Sequence, residues 1–180
     1  KAAADRTKIG ETVRDMLADI AQNRDSAVKS YAAKLDRWTR DEFRVSDDQI
    51  RAAARGLPTT FKEDFEYARR KVMDFAKLQL DSMHEFEREI EPGIVLGQKL
   101  IPVASVGCYI PGGKYPLVSA AIMSVGTARA AGVEHIVGCA PPRNADGIFP
   151  PTLYALHAAG AHEIFVLGGV QALAAMTYGC

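Results

Sequence analysis

Three times between residues 106 and 178 a short apolar run gives way to a helical stretch rich in small residues. Val106 to Ile110, "HIVGCA" and "EIFVLGG" read as strands, each short and bounded by glycine or proline. Pro116 to Ala131, Pro151 to Ala159 and Gln171 to Tyr178 read as helices, the first two closed by Gly132 and Gly160. Strands separated by a helix cannot pair through a tight turn. The chain must cross over, so the strands run parallel and the helices cover the sheet. The order β-α-β-α-β-α therefore predicts a Rossmann-like parallel βαβαβ sheet in an α/β fold. The likeness of "AAGVEHIV" to "AAGAHEIFV" is the ordinary grammar of such units, not a repeat.

Residue 92 divides this region from a different kind of sequence. Residues 1–92 are rich in charge and helix formers, and residues 93–180 in Gly, Pro, Val, Ile and Ala, so the expected domains are 1–92, mainly helical, and 93–180, nucleotide-binding α/β. Between Lys8 and Leu35, steps of three, four and seven through Ile9, Val13, Met16, Leu17, Ile20, Ala27, Val28, Tyr31 and Leu35 predict two amphipathic helices broken near Asn23-Arg24-Asp25. In "VSDDQIRAAARGLP" Ser46 and Gln49 have the spacing of a capping box, and Gly56 with Pro58 ends the helix. A long helix is expected from Thr60 to about Glu87, with Phe61, Phe65, Ala68, Val72, Phe75 and Leu78 or Gln79 on one face and "EFEREIE" as solvated surface. Pro92-Gly93 is a turn, and "IVLGQKLIPV" is strand or hairpin material with Gly97 at a bulge or turn.

Composition removes several classes of function. Lys plus Arg equals Asp plus Glu at 22 each, so the chain lacks the basic excess of a nucleic-acid footprint. No apolar run approaches the roughly 20 residues needed to cross a bilayer, and the charged N-terminus lacks a secretory hydrophobic region. Cys108, Cys139 and Cys180 are odd in number and widely spaced, which argues against disulfides and for a reducing, cytoplasmic location. The four histidines, His84, His135, His157 and His162, show no metal-binding spacing, and no GxSxG or Walker lysine is present.

Two glycine turns, Pro111-Gly112-Gly113 and Gly168-Gly169, follow strands and precede helices. In an open α/β sheet ligands bind outside the carboxyl ends of the strands, where helix N-termini offer amide groups and glycine lets a ligand approach the backbone. Each turn alone reads equally as a tight corner; two in one array favour a nucleotide site. Lys114 reads as a phosphate partner or an exposed lysine, and Tyr109 as a rim residue or a packing residue. Gln171 either faces the crevice or bonds nearby backbone amides. Cys108 and Cys139 lie in apolar strands as small buried hydrophobes.

The run "LGQKLIPVASVGCYIPGGKYPL", followed by "ARAAGVEHIVGCAPP" and "HAAGAHEIFVLGGVQALAAMTYG", resembles the histidinol dehydrogenase family from about Gly93 to Gly179, with a looser fit in the helical half. The resemblance implies an NAD-linked, zinc-dependent homodimer that oxidises a small polar primary alcohol to the carboxylate. Its dinucleotide contacts carry over to Tyr109 and Gln171, with Pro111, Gly112 and Gly113 against the same cofactor. The family's third contact, the asparagine of "GPGN", falls after residue 180, as do its zinc ligands and catalytic Glu-His pair. No catalytic or metal-binding residue is therefore expected within these residues, which correspond to an incomplete, inactive first part of such an enzyme. "GGVQA", "PGGKYPL" and the long approach to the first glycine loop are more similar to the branch that oxidises sulfopropanediol. A sulfonate would require cations where histidinol requires carboxylates. The alternative is a non-catalytic nucleotide-binding or interaction module built on the same fold half.

Overall fold

The computed structural model describes residues 2–112 and 115–180. The element order is α1 (Ala2–Tyr31), a π turn (Ala32–Asp36), α2 (Asp47–Gly56), α3 (Thr59–Asp81), β1 (Phe86–Glu91), β2 (Ile94–Gln98) and β3 (Ser105–Tyr109). Next comes one continuous helix made of α4 (Ser119–Ala121), a π turn (Ile122–Gly126) and α5 (Thr127–Ala130). Then follow β4 (His135–Ala140), α6 (Pro150–Ala159), β5 (Glu163–Val166) and α7 (Gly169–Tyr178).

The predicted α/β architecture is present. β3, β4 and β5 form a parallel sheet in that order, with Gly107 opposite Val137 and Gly138 opposite Ile164. A parallel sheet is stable only when both faces are covered, and two strand glycines set how closely the cover approaches. A Cβ on Gly107 would stand 2.3 Å from Sδ of Met176 on α7, and one on Gly138 would stand 2.7 Å from a methyl of Leu156 on α6. Residues 107 and 138 occupy non-equivalent register positions and point to opposite faces, so α7 covers one side and α6 the other. Ile110, Val125, Ile136, Ala155, Leu156 and Ala172 are wholly buried in the layers so formed.

The N-terminal helices add outer layers: α1 packs on α7, α2 on α6, and α3 on the π turn and α5. Phe61 and Phe65 of α3 meet Tyr154 of α6 edge-on, with the Phe65 and Tyr154 centroids 5.6 Å apart. The helix break expected near Asn23-Arg24-Asp25 is a kink at Arg24, which has φ 50° and ψ −130°. The kink directs the Arg24 guanidinium to the carbonyl of Tyr178, so a cation serves the C-terminal end of α7. The capping box of α2 is complete: the Gln49 amide donates to Ser46 Oγ at 3.3 Å, and the Ser46 amide to Gln49 Oε1 at 2.8 Å. Such a cap stabilises a helix by about 1 kcal/mol.

Two expectations need correction. The helix begun at Thr59 stops at Asp81 instead of Glu87, and Phe86–Glu91 pairs antiparallel with Ile94–Gln98 across Gly93, whose φ is +82°. Alternation in Phe-Glu-Arg-Glu places Glu87 and Glu89 on one side of a strand, and the β-branched "IV" run supplies a partner. Cross-strand pairing outweighs the helix propensity of glutamate there. Gly97 is neither bulge nor turn; it lies within β2, and a Cβ there would stand 2.5 Å from the Phe86 carbonyl oxygen. The irregularity falls between Glu89 and Glu91. In α3 the inward stripe keeps Phe61, Phe65 and Val72 but leaves Ala68, Phe75 and Leu78 exposed, passing instead through Met73, Ala76 and Leu80.

The segment 43–45 contributes an unforeseen strap along the outer edge of β5. The Val45 amide donates to the Ile164 carbonyl at 2.8 Å, and the Val166 amide to the Phe43 carbonyl at 2.7 Å. Backbone pairing there blunts an edge that would otherwise be open to association.

Cys108 and Cys139 are buried, as expected, and Cys180 is exposed. Burial raises the Cys108 thiol and pushes Cys139 up to about 12. Titration with a thiol reagent at neutral pH should therefore modify Cys180 first, with Cys108 and Cys139 reacting only when denaturant opens the core. Rapid modification of Cys139 in the native protein would contradict the packing described.

Candidate functional site

Three chain turns meet beyond the carboxyl ends of the parallel strands. β3 runs through Tyr109 into Ile110, whose amide donates to the Cys139 carbonyl at 2.8 Å, and then into Pro111 and Gly112. β4 ends in Pro141, and β5 in Leu167, whose amide donates to the Ala140 carbonyl at 3.0 Å. Pro141 sits between the glycine turns: a Cβ on Gly112 would lie 3.1 Å from its Cγ, and one on Gly168 would lie 2.7 Å from its Cβ. Glycine is needed at both positions because the backbones close on a rigid ring.

Of the residues expected to contact a cofactor, Tyr109 and Gln171 are brought together through Gly169. The Gly169 amide donates to the Tyr109 hydroxyl at 3.3 Å, and Tyr109 is half-buried. Pro111 is exposed and Gly112 half-buried on the neighbouring turn. Gly113 and Lys114 lie outside the described residues. Gly168 is the N-cap of α7 and has no side chain to cap it, so side chains from elsewhere take the first amides of the turn, Asp36 that of Gly168 and Tyr109 that of Gly169.

Gln171 is 1% exposed, and the side chain that holds it comes from the helical half of the chain. Asp36, at the end of the first π turn, accepts two hydrogen bonds on its Oδ2: from the Gly168 amide at 3.0 Å and from Gln171 Nε2 at 2.9 Å. Gln171 Oε1 is buried without a partner. A Cβ on Gly169, which has φ +59°, would stand 3.0 Å from that oxygen, so glycine alone leaves it room. Burial pushes the Asp36 carboxyl above the usual aspartate range, against the hydrogen bonds from Gly168 and Gln171 that pull it down.

Asp36 was not singled out by sequence reasoning, though one signal was available. A carboxylate in the last turn of a helix opposes the macrodipole, so an acid there needs a partner from elsewhere. The partners lie 132 and 135 residues away, beyond the reach of any local pattern.

The site fits a neutral, hydrogen-bonding part of a dinucleotide: it has an orphaned buried acceptor, glycines where side chains would intrude, and a helix N-terminus. Zinc does not fit here, because among the described residues no three His, Cys, Asp or Glu side chains are grouped to hold a metal. A cavity of about 540 Å³ between the α7 face of the sheet, α1 and residues 41–44 is mainly apolar and is not lined by Tyr109 or Gln171. Among the described residues no helix is long and apolar enough to cross a membrane.

Two substitutions test this geometry. Gly168 has φ −117°, which any residue adopts, so Gly168→Ala isolates the contact with Pro141 and with Asp36 Oδ1. Overpacking of this kind costs about 1–3 kcal/mol, to be read by denaturant unfolding; unchanged stability would mean that the turn has slack. For Asp36 the raised pKa means its stabilising contribution is complete below the unfolded aspartate value and is lost as pH rises through the folded one. The melting midpoint of Asp36→Asn should therefore gain on that of the wild type between acid and neutral pH. A constant difference would show that the buried charge carries no penalty.

The family model for histidinol dehydrogenase matches residues 1–180. A "Histidinol dehydrogenase homolog" of Shouchella clausii is 43% identical over 96% of the chain, and the "Sulfopropanediol 3-dehydrogenase" of Ruegeria pomeroyi 42% identical over 98%. A "Histidinol dehydrogenase" of Methanosarcina barkeri is 40% identical over 95%. The chain spans about 40% of the length of these relatives. The crystal structure of histidinol dehydrogenase from Elizabethkingia anophelis superimposes with TM-score 0.85 at 30% identity, covering 95% of this chain and 39% of that one.

Proposed function

The chain belongs to the histidinol dehydrogenase family, and from that premise we propose that it forms the NAD-holding part of a dehydrogenase that oxidises a small polar primary alcohol to the carboxylate. The observation that carries this reading is the unpaired, buried Oε1 of Gln171 beneath the uncovered Cα of Gly169. Leaving such an acceptor unsatisfied costs about 1–3 kcal/mol, which a ligand N–H or O–H would recover.

NAD supplies the hydride acceptor. Within this chain Tyr109 and Gln171 contact it, with Pro111 and Gly112 shaping the wall against which it lies. Gly112 and Gly168 allow the two turns to close on Pro141, which keeps the rim rigid. Zinc dependence belongs to the complete enzyme, and its ligands would come from outside these residues. The general base would likewise come from outside these residues, and on this reading the enzyme is a homodimer in the cytoplasm.

For the substrate, relatives named for sulfopropanediol and for histidinol match at 42% and 40% identity, a margin too small to separate the two. The substrate class is therefore a small polar alcohol of either kind, with a cationic pocket expected for a sulfonate and an acidic one for histidinol.

The test is NAD reduction by the full-length protein with zinc, offered histidinol and dihydroxypropanesulfonate in parallel. Formation of NADH with one of them is expected. NAD binding without turnover of either alcohol would instead support a non-catalytic binding module.

A further inference from the structure

We propose that Asp36 is a positioning residue for the cofactor: it fixes the side-chain amide of Gln171 so that an acceptor oxygen, not a donor, faces the ligand. The inference rests on the assignment of Gln171 to the NAD site above.

A glutamine amide has a donor end and an acceptor end of nearly the same shape, and its environment selects between the two orientations. A carboxylate cannot donate, so Asp36 Oδ2 admits only the Nε2 end, 2.9 Å away. The Gly168 amide donates to the same oxygen at 3.0 Å and locks the carboxylate in place. With Nε2 held, Oε1 must turn towards Gly169, where it is buried, unpaired and covered by no Cβ. An acceptor with a negative carboxylate behind it suits a hydrogen-bond donor such as a carboxamide N–H or a ribose hydroxyl. It disfavours a phosphate oxygen, which would meet lone pairs and like charge. This end of the rim therefore seats an uncharged donor group of the dinucleotide, and phosphate recognition falls elsewhere.

The N-terminal helical layer is then part of the site. The π turn brings Asp36 to the rim, followed by Arg37 in the left-handed conformation at φ 56°. Trp38 is buried just beyond, its amide bonded to the Ala32 carbonyl at 3.1 Å, which holds the end of the turn closed.

The experiment measures NAD affinity by calorimetry in the full-length enzyme, with thermal melts to confirm folding. Losing one positioned hydrogen bond corresponds to about a tenfold weakening, expected for Asp36→Ala. Asp36→Asn keeps an oxygen for both donors and should stay within about threefold of wild type on the same scale. In a Gln171→Ala background, Asp36→Ala should cost no further affinity, because Asp36 acts through Gln171. Additive losses, or wild-type affinity in Asp36→Ala beside weakened Gln171→Ala, would overturn the proposal while leaving the site intact. Unchanged affinity in both Tyr109→Ala and Gln171→Ala would overturn the site assignment itself, and this inference with it. If Asp36→Ala does not fold, Gln171→Glu carries the test, since it sets a carboxylate against Asp36 at constant size. Affinity should then fall at neutral pH and recover when Asp36→Asn is added; no recovery overturns the proposal.

Discussion

A parallel sheet of three short strands must be covered on both faces, and nearly everything else in the molecule follows from how that is done. The strands hold 5, 6 and 4 residues, too few to bury much surface among themselves. Their stability comes from helices pressed onto them, and Gly107 and Gly138 determine how near those helices come. Because α7 seats against Gly107, its N-terminus stands over the end of β3, where Tyr109 meets Gly169. The rim's geometry is thus a by-product of packing at the middle of the sheet.

The outer helices extend the same logic to the ligand end. α1 lies on α7, and its kink at Arg24 aims a guanidinium at one end of that helix. The π turn after α1 aims the Asp36 carboxylate at the other end. A cation at the C-terminus and an anion at the N-terminus both suit the helix dipole, so one segment of chain holds α7 at both poles. What composition separates as a helical half and an α/β half is, at the rim, one structure.

How much of this was legible depended on the range of the interactions involved. Alternating strands and helices, the capping box at Ser46 and Gln49, the turn at Gly93 and the buried cysteines all rest on neighbours within a few residues. Each is present. "EFEREIE" misled because its glutamates favour helix while its pairing with "IVLGQ" favours strand, and propensity alone does not weigh a partner segment. The strap at Phe43–Val45 and the carboxylate of Asp36 were invisible for the same reason in stronger form: their partners lie beyond residue 160. Tyr109 and Gln171 could be placed at the rim because strand ends and glycine turns are local marks. The residue that holds Gln171 carries only the mark of an acid in the last turn of a helix, which names no partner.

The clamp between Asp36 and the Gly168 turn also imposes an order on the making of the protein. Its two sides are 132 residues apart in the chain. At a synthesis rate of about 5–20 residues per second, the N-terminal helix leaves the ribosome roughly 7–26 s before the turn it grips exists. Throughout that interval the apolar stripe of Met16, Ile20, Ala27 and Val28 has no α7 to lie on. The segment that later completes the rim is thus the one that waits longest, apolar face open, for the helix it is built to grip.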